Sequence, residues 1–81
     1  MTTQFIQNKK YKADITLTLA QVFFATNAII AEKLDEAGFK EITVTGSGTK
    51  RKAEGIWRSA TQKVDIEKKV SPAIISNITE L

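Results

Sequence analysis

Residues 11–38 read YKADITLTLAQVFFATNAIIAEKLDEAG, and the change of period inside this stretch decides the fold class. From Tyr11 to Thr18 apolar and polar side chains alternate. Tyr11, Ala13, Ile15 and Leu17 fall on one face, and Lys12, Asp14, Thr16 and Thr18 on the other. A period of two is that of a half-buried strand. From Leu19 the period lengthens: Leu19, Val22, Phe23, Ile29, Ile30, Leu34 and Ala37 form one helical stripe, opposite Gln21, Glu32, Asp35 and Glu36. Thr18 followed three residues later by Gln21 has the form of a capping box, and Gly38 stands just past the last apolar position as a helix stop. The spacing predicts a strand over 11–18 and one helix over about 19–37.

Beyond Phe39, the segment Glu41 to Thr45 alternates again with Ile42 and Val44 inward, and Gly46-Ser47-Gly48-Thr49 supplies a turn. Lys52 to Arg58 is the returning strand, and Gln62 to about Lys68 a fourth one with Val64 and Ile66 inward. Ser71-Pro72 has the form of an N-cap followed by proline at the first helical position, and Ile74, Ile75, Ile78 and Leu81 make a short apolar stripe. An Ile-rich stretch this short also suits a strand; the helix is the reading adopted. The expected order is β-α-β-β-β-α, an α+β fold. A strand, a helix and a strand imply a right-handed parallel crossover, and the short turns that follow imply antiparallel neighbours. Helices on one face of a mixed four-stranded sheet are therefore expected. Residues 1–10 are polar apart from Met1, Phe5 and Ile6 and read as a flexible N-terminal segment, with one domain over 11–81.

An 81-residue chain buries only roughly 60–65% of the surface it exposes when unfolded. Domains this small often add a disulfide or a structural metal, but the chain has no Cys and no His. Packing, or packing with self-association, has to stabilise the fold. The lack of Cys fits a reducing compartment. The first ten residues lack the apolar run of a secretory signal, and Leu19 to Ala31 is too short to span a bilayer. A cytoplasmic location without membrane contact is the expectation.

The same two missing residue types bear on catalysis. His is the usual acid and base near neutral pH, and a nucleophile needs an activating base beside it. The carboxylates Asp14, Glu54, Asp65 and Glu67 alternate with Lys12, Lys52, Arg58 and Lys63 on the expected solvent face, which suits cross-strand ion pairs better than a catalytic or metal-binding pair. Gly46 to Lys50 does not have the spacing of a phosphate-binding loop or of a dinucleotide fingerprint, and it leads into a strand. No enzyme activity, cofactor or metal is expected.

Two features remain as interaction sites. Lys50, Arg51 and Lys52 flank the turn, and the expected topology brings them to the same pole as the first helix start, Lys68, Lys69 and Ser71. Cations and helix N-termini gathered there would suit a polyanion such as nucleic acid. The strands offer no outward aromatic for base stacking, so such contact would be to phosphates. Phe24, with Ala20 and Ala31, widens the apolar arc of the first helix beyond what one sheet covers, and either the terminal helix or a partner chain is expected to cover it. The leading expectation is a small module acting through protein contacts, with itself or with another protein; nucleic-acid binding through the basic pole is the alternative.

Overall fold

The computed structural model describes residues 2–81, which form six strands and three helices: β1 (Thr3–Phe5), β2 (Lys10–Thr16), α1 (Leu19–Val22), α2 (Asn27–Ala37), β3 (Phe39–Ser47), β4 (Lys50–Trp57), β5 (Gln62–Val64), α3 (Ile66–Val70) and β6 (Ile74–Glu80). The protein is α+β. Its main sheet has the order β3-β4-β2-β6, and β1 and β5 form a separate two-stranded ribbon.

Every neighbouring pair in the main sheet is antiparallel, which corrects the expected mixed sheet. β2 and β3 do run in the same direction, but β4 lies between them. The two-residue connection Gly48–Thr49 folds β4 back along β3, and the other edge of β4 takes β2. Element order alone is silent on whether the returning strand lies outside the pair or within it. The register pairs Tyr11 with Gly55, Ala13 with Ala53 and Ile15 with Arg51 on the inner face. Lys12 with Glu54, Asp14 with Lys52 and Thr16 with Lys50 point outward.

Both edge strands carry a register shift. In β3 it falls between Lys40 and Thr43, where Glu41 has φ 53°. In β6 it falls opposite Lys12 and Asp14, where Asn77 has φ 53°. The extra residue places Ile75 and Ile78 three apart on the inward side, a spacing that imitates a helix turn. Hence the segment 73–81, expected as a helix, is a bulged strand. Pro72 stands in the connection between α3 and β6 rather than at a helix start.

The expected fourth strand is cut to three residues, because Ile66 and Val70, four apart, both turn into the core as α3. The N-terminal segment read as flexible contributes β1. Phe5 is fully buried there, stacked on Trp57 with ring centroids 5.0 Å apart and edge-on to Tyr11 and Phe39. One large apolar residue in a polar stretch is enough to hold it, since burying an aromatic ring outweighs ordering a few residues.

The single long helix expected over 19–37 is two helices. Thr18 caps α1 with both bonds of the capping box: its hydroxyl accepts from Gln21 N at 3.2 Å, and Gln21 Oε1 accepts from Thr18 N at 2.8 Å. The chain then leaves helical geometry, and Thr26 starts α2 by accepting from Ile29 N. Only α2 brings buried residues, Ile30 and Leu34, into the core shared with Ile15, Ala53, Trp57, Ile66, Val70 and Ile75. Among the described residues no helix is long and apolar enough to cross a membrane.

Candidate functional site

The end of the sheet where β2 stops and β4 starts gathers the features of interest. Leu17 N donates to Thr49 O at 2.8 Å, so the β3–β4 turn lies against the entry to α1. Thr16 is paired with Lys50 on one side and with Ile74 on the other. α1 is tied down at its far side by Gln21 Nε2, which donates to Pro72 O at 3.1 Å. On this fastened turn Leu19 is 78% exposed, Phe23 83% and Phe24 77%. No described residue covers them. Coverage of Phe24 by a terminal helix is thereby overturned, since the C-terminal segment is β6.

Leu19 and Phe23 belong to the helical stripe of the sequence, and the break at residues 23–26 is what turns them outward. Of the other two residues placed with Phe24, Ala20 is exposed on α1, whereas Ala31 is half-buried on α2. A signal for the break was present: a second threonine, Thr26, stands eight positions after Thr18 as another possible N-cap. A further signal is electrostatic. From Ile15 to Ala31 no residue is charged, a long gap in a chain that is 26% charged.

The basic residues divide between two faces. Lys50 and Lys52 point to the uncovered outer face of the sheet, where they line a shallow depression of about 410 Å³ with Thr45, Ser76 and Asn77. Arg51 points the other way, toward the helix layer, and is only 8% exposed. Its Nε donates to Gly48 O at 3.0 Å and its Nη1 to Asn27 Oδ1 at 2.6 Å. Asn27 in turn donates from Nδ2 to Gly46 O at 3.1 Å, which locks the β3–β4 turn to the start of α2. Lys68 and Lys69 are exposed in the last turn of α3, where a cation suits the negative helix end. α3 belongs to the helix layer, so they lie across the sheet from Lys50 and Lys52.

Apart from Asp65, whose Oδ1 is buried with no hydrogen-bond partner among the described residues, the carboxylates behave as surface charges. Glu54 meets Lys10 at 3.8 Å across β2 and β4, Glu41 meets Arg58 at 2.6 Å, and Asp35 pairs with Lys40. Asp14 accepts from Asn77 Nδ2 at 2.8 Å. Among the described residues no three His, Cys, Asp or Glu side chains gather as a metal-binding group. Comparison of the chain with protein-family models, with curated proteins and with solved structures finds no match.

Proposed function

We propose that this protein is a non-enzymatic interaction module that binds another protein through the face of α1. The observation that carries the reading is the group Leu19, Phe23 and Phe24, three large apolar side chains left bare on one turn. Removing such a side chain from water is worth about 1.5–3 kcal/mol, and aromatic residues dominate the energetics of protein interfaces. The capping box and the Gln21–Pro72 bond hold the turn before any partner arrives, so little ordering cost remains to be met on binding. The lack of His and Cys supports a role without turnover.

The test is a native mass measurement of the complex recovered from the protein's source, for the parent and for a variant carrying Phe23→Ser and Phe24→Ser. The parent should keep a partner that the variant loses. Equal recovery by both would refute the assignment to α1, and a doubled mass would identify the partner as a second copy.

A second reading, contact with the phosphates of nucleic acid, draws support from Lys50 and Lys52 on the open outer face beside Thr45, Ser76 and Asn77. Its test is a salt titration of binding to a short duplex, with Lys50→Gln and Lys52→Gln against Lys9→Gln and Lys10→Gln. Loss of two phosphate contacts should flatten the salt slope by about two units in the first variant only. Arg51 stays in place, because its side chain holds the turn.

A further inference from the structure

Helical bonding runs a little past the end of α1. Val22 N donates to Thr18 O at 3.2 Å and Ala25 N to Gln21 O at 2.8 Å, and Phe23 keeps helical backbone angles. At about 100° per residue, residues 19–25 therefore divide into two arcs. Gln21, Val22 and Ala25 face the body of the protein: Gln21 bonds Pro72 O, and Val22 and Ala25 pack against the core. Leu19, Ala20, Phe23 and Phe24 fill the opposite arc of about 140°, and all four are exposed. That arc holds no polar and no charged side chain. Contacts that form and dissolve between different proteins are about as apolar as the rest of a protein surface, whereas contacts between copies of one chain are more apolar.

We infer that the occupant of this face is a second copy of the chain, in a two-fold dimer that packs the two 19–25 turns antiparallel. The inference rests on the reading of α1 as a protein-binding face and names the partner. In a two-fold contact the same patch serves both sides, so a residue i that meets j is matched by j meeting i. The centre of the arc falls between Gln21 and Val22, which sets Ala20 against the partner's Phe23 and Leu19 against the partner's Phe24. Each small or flexible side chain thus faces a ring, the pairing that lets two layers interdigitate. The area is sufficient. With about four-fifths of Phe23 and Phe24 exposed, and Leu19 and Ala20 beside them, one copy offers roughly 300–500 Å². Two-fold contact hides that area on both copies, roughly 600–1,000 Å², which with the flanking backbone reaches the about 1,000 Å² of a small specific interface. A partner with an ordinary mixed surface would set polar groups against the rings and leave their hydrogen bonds unmade. The arc carries no charge, so a chain of net charge +3 meets its copy there without like charges face to face.

The experiment is sedimentation equilibrium of the purified full chain from about 1 µM to about 1 mM. The parent should pass from monomer to dimer with a Kd on the order of 10–100 µM, as befits an interface of this size. Phe23→Ser with Phe24→Ser should stay monomeric throughout, with thermal unfolding as the check that it is folded. Two single variants test the geometry. Ala20→Glu sets a carboxylate against the partner's Phe23, and Phe23→Lys sets an ammonium group against the partner's Ala20, so each alone should weaken dimerisation about tenfold or more. Mixed in equal amounts they should pair with each other about tenfold more tightly than either pairs with itself. In that mixed dimer the new carboxylate of one copy meets the new ammonium group of the other, and the second Ala20–Phe23 contact is intact.

A parent that stays monomeric to about 1 mM overturns the inference, and so does a dimer that Phe23→Ser with Phe24→Ser leaves intact. A mixture of the two single variants no more dimeric than its components overturns it as well, because the two-fold register demands their pairing. The α1 reading is judged apart from this. A monomeric parent that carries a different protein from its source, lost in the double serine variant, keeps α1 as a binding face with another occupant. A monomeric parent that recovers nothing removes both.

Discussion

Trp57 and Gly38 hold each other in place. Trp57 is fully buried, touches Phe5 and Phe39 at ring-centroid distances of 5.0 Å, and donates from Nε1 to Ala60 O at 2.9 Å. Gly38 ends α2 at φ 131°, a region closed to other residues, and a Cβ there would stand 2.8 Å from the indole and 2.6 Å from Ser59 Oγ. Gly38→Ala should therefore cost about 2 kcal/mol or more, which for a chain of this size lowers Tm by roughly 8–16 °C. Gly48→Asn is the contrast. A Cβ at Gly48 meets nothing within 4 Å, and its φ of 67° is one that Asn adopts readily, so thermal unfolding of that variant should match the parent closely. An unchanged Tm in Gly38→Ala would mean that the helix end can rearrange around the ring.

The two threonine caps look alike at the level of the element but support different things. Thr18 caps α1, which brings no buried residue to the core, whereas Thr26 caps α2, which carries Ile30 and Leu34. Each cap is worth about 1 kcal/mol to its own helix. Thr26→Ala should thus lower Tm of the whole protein by roughly 4–8 °C. Thr18→Ala should lower Tm less than Thr26→Ala does and speed hydrogen exchange at the amides of residues 21–25, because the only core contact that α1 makes is through the half-buried Val22. Binding at Phe23 and Phe24 should weaken with it, since the turn is no longer held in advance. A fall in Tm as large for Thr18→Ala as for Thr26→Ala would show that α1 and the core unfold as one unit.

The whole molecule separates stability from association. Its core lies between the inner face of the sheet and the layer of α2 and α3, while the apolar turn of α1 sits outside it. Replacing Phe23 and Phe24 by Ser removes side chains that fold against little, so Tm should stay within about 2–4 °C of the parent, surface changes of this kind being worth about 0.5 kcal/mol or less. Thermal unfolding of the purified variant checks this, and a large loss of Tm would place those rings in the folding core. The same separation applies to charge: Lys50 and Lys52 on the outer face are replaceable, and Arg51, inside, is not.

The period of two over 11–18, the part of the 19–37 stripe that holds Ile30 and Leu34, a turn within Gly46–Thr49 and the role of Gly38 are local patterns, so the residues alone determined them. Trp57 alternates in the sequence with Ala53 and Gly55, so its sharing a face with them follows from the same strand period. The insertion of β4 between β2 and β3, the bulges at Glu41 and Asn77 and the docking of Phe5 rest on pairings between distant segments. Such pairings are chosen by the summed burial of the finished core and leave no mark in a local period. The same holds for the candidate site. The basic run 50–52 and the apolar character of 19–24 are plain in the sequence, but only the tertiary structure decided that Arg51 turns inward to the start of α2 while Lys50 and Lys52 turn out. It also decided that Phe23 and Phe24 are bare: α2 and α3 supply the buried helical residues of the core, and the rings that follow α1 point away from it.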